Sequence, residues 1–282
     1  MIVFPNCKIN LGLQVLRRRQ DGFHDLETVF YPVPLFDVLE IIAPENSGSP
    51  GISFSVSGIA LDAGENLCVK ACRLFADECP GKVPSSVQMH LHKSIPAGAG
   101  LGGGSADAAF TLRLLNTMFE AGLSNDQLMS MAASLGSDCA FFILDKAAIA
   151  TGRGELLQPH DVDLSAYRIV IVNPGIHIST AAAFSWVNAQ PERRSLSSII
   201  KMPVTEWKHH LVNDFEQPVI GHYPLLQQIK DRLYDSGALY ASLSGSGSSM
   251  FGIFAEPIQD IGRQFPGCFV ADVPGALASQ LQ

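Results

Sequence analysis

Five glycines fall within seven residues at Gly98-Ala99-Gly100-Leu101-Gly102-Gly103-Gly104, and Ser105 follows them. Glycine reaches positive φ and leaves backbone N–H groups unobstructed. A run of such N–H groups leading into a helix makes a socket for an anion, with the positive end of the helix dipole behind it. An ordinary turn needs one or two glycines, so the chemistry to expect here is phosphate binding. Ser105 is expected at the helix N-cap, where it would stabilise the first turn by roughly 1 kcal/mol and offer a hydroxyl to phosphate or Mg²⁺. A second Gly/Ser cluster spans 244–249; a plain strand–turn–strand hairpin would also explain it. Lys8 sits among Cys7, Ile9 and Leu11, and a lone cation in an apolar strand is a functional candidate.

The loop is not one of the common nucleotide signatures. It contains a G-x-G-x-x-G match, but Lys93-Ser94-Ile95-Pro96-Ala97 separates it from the preceding strand and more than 80 residues come before it. A dinucleotide fold needs those glycines directly after a first strand. The chain has no G-x-x-x-x-G-K-[ST], no H-R-D and no D-F-G, which sets aside the Walker loop and the protein kinases.

The elements that must position these residues follow from periodicity and turn chemistry. Strands are expected over 8–16, 38–42, 52–56 and 87–91, with a turn at 20–22. A helix is expected over 66–79, carrying Cys68, Cys72 and Cys79 and stopped by Pro80-Gly81. After the glycine loop, helices are expected over 105–120 and 124–135. The segment 159–166 has turn formers and little hydrophobic periodicity, and the domain boundary is placed there, giving domains 1–160 and 161–282. Beyond it come strands at 167–172, 239–243, 250–254 and 268–270 and a helix at 225–235, an α+β arrangement.

The chain has 282 residues, 47% hydrophobic and 16% charged, with a formal charge of −8. That size and composition describe a globular protein of two modest domains. An acidic chain is a poor match for nucleic acid or an anionic membrane surface, so any bound phosphate must be held by local donors. No apolar stretch approaches the 18 or so residues a membrane span needs, and the start, Met1-Ile2-Val3-Phe4-Pro5, lacks the form of a secretory leader. The six cysteines have neither disulfide-framework nor zinc spacing. His90 and His92, two apart on a strand, read as a satisfied surface pair. A reducing cytoplasm is the expected compartment.

Three separated segments then align. They are Pro5-Asn6-Cys7-Lys8-Ile9-Asn10-Leu11-Gly12-Leu13, continuing to Asp21-Gly22-Phe23-His24; Ile95-Pro96 through Ser105-Ala106-Asp107; and Ser242-Leu243-Ser244-Gly245-Ser246-Gly247-Ser248-Ser249. The trio resembles the three motifs of the GHMP kinases. K-I-N-L followed by D-G-F-H is similar to the branch acting on a diphosphocytidyl-linked methylerythritol in the non-mevalonate isoprenoid pathway. Further matches are Gly64-Glu65-Asn66-Leu67, Gly136-Ser137-Asp138, Gly152-Arg153-Gly154-Glu155 and Asn213-Asp214-Phe215-Glu216.

The resemblance implies a two-domain α+β GHMP kinase fold. Its N-terminal domain would be like domain 2 of ribosomal protein S5 and its C-terminal domain ferredoxin-like, with the active site in the cleft between them. It implies ATP, with Mg²⁺ carried by the nucleotide, and small-molecule partners, the chain being a monomer or homodimer. Lys8 and Asp138 match the family's catalytic pair. A carboxylate with pKa near 3.9 is a feeble base toward an alcohol, but the loose transition state of phosphoryl transfer asks it mainly to orient the hydroxyl. Pro96, Ala97 and Gly98 through Ser105 match the ATP phosphate loop, and Asn66 and Lys93 match positions near the adenine. Phe23 and Phe184 match the aromatics that sandwich cytosine, and His24 the residue that reads its edge. Asn10 and Thr180 match positions near the substrate, and Gly245 and Ser246 the third motif around substrate phosphate. Cys7 replaces a usual Ala, Phe23 a common Tyr and Ala106 a frequent Ser. The rival readings are another GHMP kinase, acting on mevalonate, phosphomevalonate, homoserine or a sugar, and a non-catalytic nucleotide binder of the same fold.

Overall fold

The computed structural model describes residues 1–44, 51–61, 66–84, 86–190 and 193–277. Gly64 and Glu65 of the G-E-N-L match lie outside them. In chain order the elements begin with β1 (Ile2–Val3), β2 (Asn6–Arg18), β3 (His24–Phe36), β4 (Val38–Ile42) and β5 (Gly51–Gly58). Then come α1 (Leu67–Glu78), β6 (Ser86–Lys93), α2 (Gly103–Met118), α3 (Asn125–Leu135), α4 (Cys139–Leu144), β7 (Ala148–Thr151) and β8 (Leu156–Pro159). The rest are β9 (Arg168–Asn173), α5 (Thr180–Trp186), α6 (Leu196–Ile199), α7 (Val204–His210), α8 (Glu216–His222), α9 (Leu225–Asp235), β10 (Tyr240–Leu243), β11 (Met250–Phe254) and β12 (Phe269–Pro274), with a 3₁₀ turn at Ile261–Gln264.

The chain forms two compact units, neither a single stretch of sequence: Met1–Cys7, Leu35–Ala97 and Gly102–Asp145 make the first, and Lys8–Pro34, Gly98–Leu101 and Lys146–Gln282 the second.

The first unit is built on the sheet β1-β4-β6-β5, in which β5 and β6 run parallel and the other pairs antiparallel. Alternation along its strands buries Leu39 and Ile41 of β4 and Val87, Met89 and Leu91 of β6, while Gln88 and His92 stay exposed. A parallel pair needs a crossover, and α1 supplies it, packing on α2. Asn66 caps α1 by accepting the Cys68 N–H at 2.8 Å. Ser124 and Gln127 form a reciprocal capping box on α3. His90 and His92 are satisfied at the surface by Ser55 and Ser57.

The second unit contains two four-stranded sheets. One is β2-β3-β7-β8; the other, antiparallel, has the order β10-β11-β9-β12. Numbering β9, β10, β11 and β12 as one to four makes that order 2-3-1-4, the ferredoxin-like arrangement. Its apolar face and the inner faces of α8 and α9 enclose a core of Val170, Val172, Val219, Ile229, Leu233 and Leu243, among others. Strand β2 is buried from Asn6 to Val15. Its apolar residues Cys7, Ile9, Leu11, Leu13 and Val15 alternate with Lys8, Asn10, Gly12 and Gln14, so one side of the strand is greasy and the other polar.

Candidate active site

In the second unit, Lys8 is 3% exposed. A buried ammonium needs partners: its Nζ donates to Asn10 Oδ1 at 2.6 Å and lies 4.8 Å from the Phe30 ring centre. Lys8 can only donate, so the Asn10 amide must turn its oxygen toward Nζ. Its Nδ2 then donates to Thr28 Oγ1 at 2.9 Å, and that hydroxyl donates to the Gly12 carbonyl at 2.6 Å. The relay fixes the amide orientation and so the place of the ammonium. The backbone N–H of Lys8 donates to Leu101 O at 2.9 Å, tying the strand to the start of the glycine loop.

That loop start meets the 244–249 cluster. Ser244 Oγ donates to Gly100 O at 2.8 Å, and the Ser249 N–H donates to Ala99 O at 3.1 Å. Gly98, Gly100 and Gly102 have φ of 60°, 78° and 71°. A Cβ at Gly100 would sit 2.0 Å from the Ser244 carbonyl oxygen, so glycine is required there on steric grounds as well. The cluster is braced from behind by Asn213, whose Nδ2 donates to Leu243 O and Gly245 O at 2.8 and 2.9 Å, and by Asn173, which reaches Ser248 and Ser249. Glu216 accepts from Ser242 Oγ and the Leu243 N–H and is paired with Lys230. Gly245 is buried at φ 56°, and Ser246 is the one residue from Tyr240 to Phe254 that is not buried.

The base-binding candidates lie in the same unit. The His24 ring stacks on Phe184 at 4.8 Å and 13°, and Phe215 meets Phe184 edge-on at 4.8 Å. Phe23 is 54% exposed and lies under Arg153, 4.9 Å from the guanidinium carbon. The ring stacked on Phe184 is that of His24. Thr180 is the exposed first residue of α5, whose cap Ser179 accepts from the Ala182 N–H.

In the first unit, α2 begins at Gly103 with Gly102 as its cap in the left-handed conformation and no side-chain cap bond. Ser105 is the helix's third residue and not its N-cap, which corrects the sequence expectation. Without a side chain at the cap, the N–H groups of the first turn have no capping acceptor, the arrangement an anion needs. Ala97, Gly98 and Gly104 are exposed, Gly100, Gly102 and Ser105 half-buried, and Pro96, Ala99, Leu101 and Gly103 buried. Ser105 hydrogen-bonds the Cys139 thiol, which burial pushes up to about 11. Asp138, the residue before Cys139, thereby lies beside the first turn of α2. It is half-buried, and its side chain does not cap α4.

Lys93 is 2% exposed, and its ammonium is committed inside this unit to Asp37 and, at 2.7 Å, to Asp107. Asp37 also accepts the N–H groups of Ser94 and Ile95 at 2.6 and 2.9 Å, holding the chain that leads toward the glycines. Burial, with Asp37 adding to it, pushes the Asp107 carboxyl up to about 7 against the pull of Lys93. The Lys93 carbonyl accepts from Ile59 N at 2.9 Å. Ile59 and Asn66 both line a cavity of about 600 Å³ whose walls include Phe54, Val56, Val69 and Arg73, a size typical of small-molecule sites.

The sequence reading did not single out Thr28, Phe30, Asp37 or Asp107 as site residues. Thr28 and Phe30 belong to a strand whose run carries no chemical signature, and Asp37 and Asp107 lie 70 positions apart. Only the folded chain brings them to their lysines.

Two family models match: the N-terminal domain of GHMP kinases over residues 66–146 and the C-terminal domain over 204–270. The chain is 46% identical over 278 residues to the 4-diphosphocytidyl-2-C-methyl-D-erythritol kinase of Bacteroides fragilis, covering 97% of this chain and all of that one. It is 46% identical over 259 residues to the enzyme of that name from Parabacteroides distasonis, covering 91% and 93%. A crystal structure of 4-(cytidine 5′-diphospho)-2C-methyl-D-erythritol kinase superposes with a TM-score of 0.81 at 30% identity, covering 98% of this chain and all of that one. Family models and full-length likeness agree: the chain belongs to the GHMP kinases, and within them to the 4-diphosphocytidyl-2-C-methyl-D-erythritol kinase family.

Proposed function

We propose that the protein transfers the γ-phosphoryl group of ATP to the 2-hydroxyl of 4-diphosphocytidyl-2-C-methyl-D-erythritol, yielding the 2-phosphate and ADP in the non-mevalonate route to isoprenoid precursors. The bond from the γ-phosphorus to the bridging oxygen breaks, a bond to the alcohol oxygen forms, and the hydroxyl proton leaves to Asp138. The observation that carries this reading is the buried Lys8 ammonium, aimed by Asn10 from a strand hydrogen-bonded to the glycine loop. Lys8 supplies positive charge where the transferring group gains negative charge. Asp138 orients the hydroxyl, the main task that the loose transition state sets a carboxylate.

The N–H groups from Gly98 to Ser105 hold the polyphosphate. The 600 Å³ cavity beside Asn66 takes the adenine, and Lys93 contributes through its main chain, since its ammonium already holds two carboxylates. Phe184 and Phe23 grip the cytosine, with His24 on its polar edge and Asn10, Thr180, Gly245 and Ser246 along the rest of the substrate. No group of three or more His, Cys, Asp or Glu among the described residues is placed to hold a metal. Mg²⁺ would arrive on the nucleotide, keeping several of its waters, and Ser105 in the first turn of α2 offers it a hydroxyl. Six free cysteines fit a reducing compartment, and among the described residues no helix is long and apolar enough to cross a membrane. Phosphorus NMR of the product of a reaction with ATP and the cytidyl alcohol tests the reading. A new monoester signal coupled to C2 is expected, and recovery of unchanged alcohol refutes it.

A further inference from the structure

Three loops of the second unit meet around the start of the glycine run: 98–101, 173–180 and 244–249. Ser244 and Ser249 bond to Gly100 and Ala99, Asn173 bonds to Ser248 and Ser249, and Ser248 Oγ donates to Ile176 O at 2.5 Å. Their sequences are Gly-Ala-Gly-Leu, Asn-Pro-Gly-Ile-His-Ile-Ser-Thr and Ser-Gly-Ser-Gly-Ser-Ser. None carries Asp, Glu, Lys or Arg, and His177 is their one ionisable side chain. Its ring abuts the loop: a Cβ at Gly98 would lie 3.4 Å from Nδ1 and 3.5 Å from Cε1. His177 is exposed, and neither ring nitrogen hydrogen-bonds to the described residues.

We propose that His177 is a phosphate-binding residue of this site, donating a charged hydrogen bond from its imidazolium to a nucleotide phosphate oxygen at the Gly98 end of the loop. This rests on the phosphotransfer reading above and deepens it. Every other donor that the three loops present is a neutral amide or hydroxyl. A ring that donates to a bound anion does so more strongly with its charge than without it, so the proposal is tested at two pH values. No carboxylate lies on the three loops to compete for the ring.

The phosphate can belong to the phosphoryl donor or to the cytidyl acceptor, and two ligands separate these sources. Binding of ADP and of cytidine 5′-diphosphate to the wild type, His177→Ala and His177→Gln is measured by calorimetry at pH 6.0 and pH 8.0, with thermal unfolding to verify the fold. The ligands' own titration is common to all three proteins and cancels in the ratios. The wild type should bind one of the two about fivefold to tenfold more tightly than either variant at pH 6.0, with the gap closing at pH 8.0. A gap for ADP assigns the donor, and one for cytidine 5′-diphosphate the acceptor. Equal affinities of wild type and variants for both ligands at pH 6.0 overturn the proposal while leaving the kinase reading intact. Failure of the wild type to bind either nucleotide at both pH values overturns the kinase reading, and the proposal with it.

Discussion

The backbone N–H of Lys8 donates to the carbonyl of Leu101 at 2.9 Å, while its side chain, at the head of a buried relay of three hydrogen bonds, is aimed by Asn10. One residue thus sets both the place of a cation and the path of the glycine loop. A change at the side chain should leave the loop in place, which makes Lys8 a clean probe of charge.

Lys8→Met keeps the length and removes the charge. A fall in kcat of about 10²–10³-fold is expected, in the range for losing one preorganised electrostatic donor, with ADP affinity changed far less. Stopped turnover assays and calorimetry on the same preparation check it. Near-normal kcat would remove Lys8 from the chemistry.

Asp138→Asn should cut kcat by about 10²-fold or more, the scale of a lost general base or orienting group, and leave ATP affinity close to wild type. The Asp138 side chain does not cap α4, and a melting curve of the variant separates an effect on chemistry from one on folding. A collapse in stability instead of in kcat would mark the residue as structural.

Phe184→Ala strips a stacking surface that His24 covers at 4.8 Å in this structure. KM for the cytidyl substrate should rise about tenfold or more, given roughly 1–3 kcal/mol per stacked base, with KM for ATP unchanged. His24→Ala should raise the same KM. Steady-state kinetics with each substrate varied in turn separates these effects, and an equal rise in both KM values would contradict the assignment.

Gly100→Ala must place a methyl 2.0 Å from the Ser244 carbonyl oxygen at a φ of 78°. The contact between loops 98–101 and 244–249 has to open, at a cost on the order of 1–3 kcal/mol. A lower melting temperature and weakened ADP binding should appear together. Unaltered nucleotide affinity would show that the loop does not hold phosphate.

Lys93, Asp37 and Asp107 make a pH-dependent contribution whose sign is fixed. Asp107 is pushed up to about 7 by burial, so between the ordinary carboxyl range and pH 7 the folded protein binds a proton that the unfolded chain has released. Stability from this group therefore falls as pH rises across that window. Asp107→Asn should flatten this part of the melting-temperature profile between pH 5 and 8. A profile parallel to that of the wild type would mean that Asp107 does not titrate there.

Much of this was legible before folding. Periodicity and turn residues mark 38–42, 250–254 and 225–235 at the bounds observed for β4, β11 and α9. The glycine run and the apolar setting of Lys8 point to phosphate and to a buried cation. Ser105 misleads because serine is a strong N-cap former, while a cap of left-handed glycine leaves no side-chain signature; Gly102 takes the position and the helix starts at Gly103. Lys93 looks like any strand-end lysine until Asp37 and Asp107, distant in sequence, close on it. The partnership of His24 with Phe184 spans 160 positions and no local pattern encodes it.

The most direct test offers γ-labelled ATP and wild-type protein a choice of alcohols: 4-diphosphocytidyl-2-C-methyl-D-erythritol, mevalonate and homoserine at equal concentration. Label should appear in the cytidyl product and in neither of the others. Label on mevalonate or homoserine in preference, or none on any acceptor while the protein still binds ATP, would contradict the proposed function.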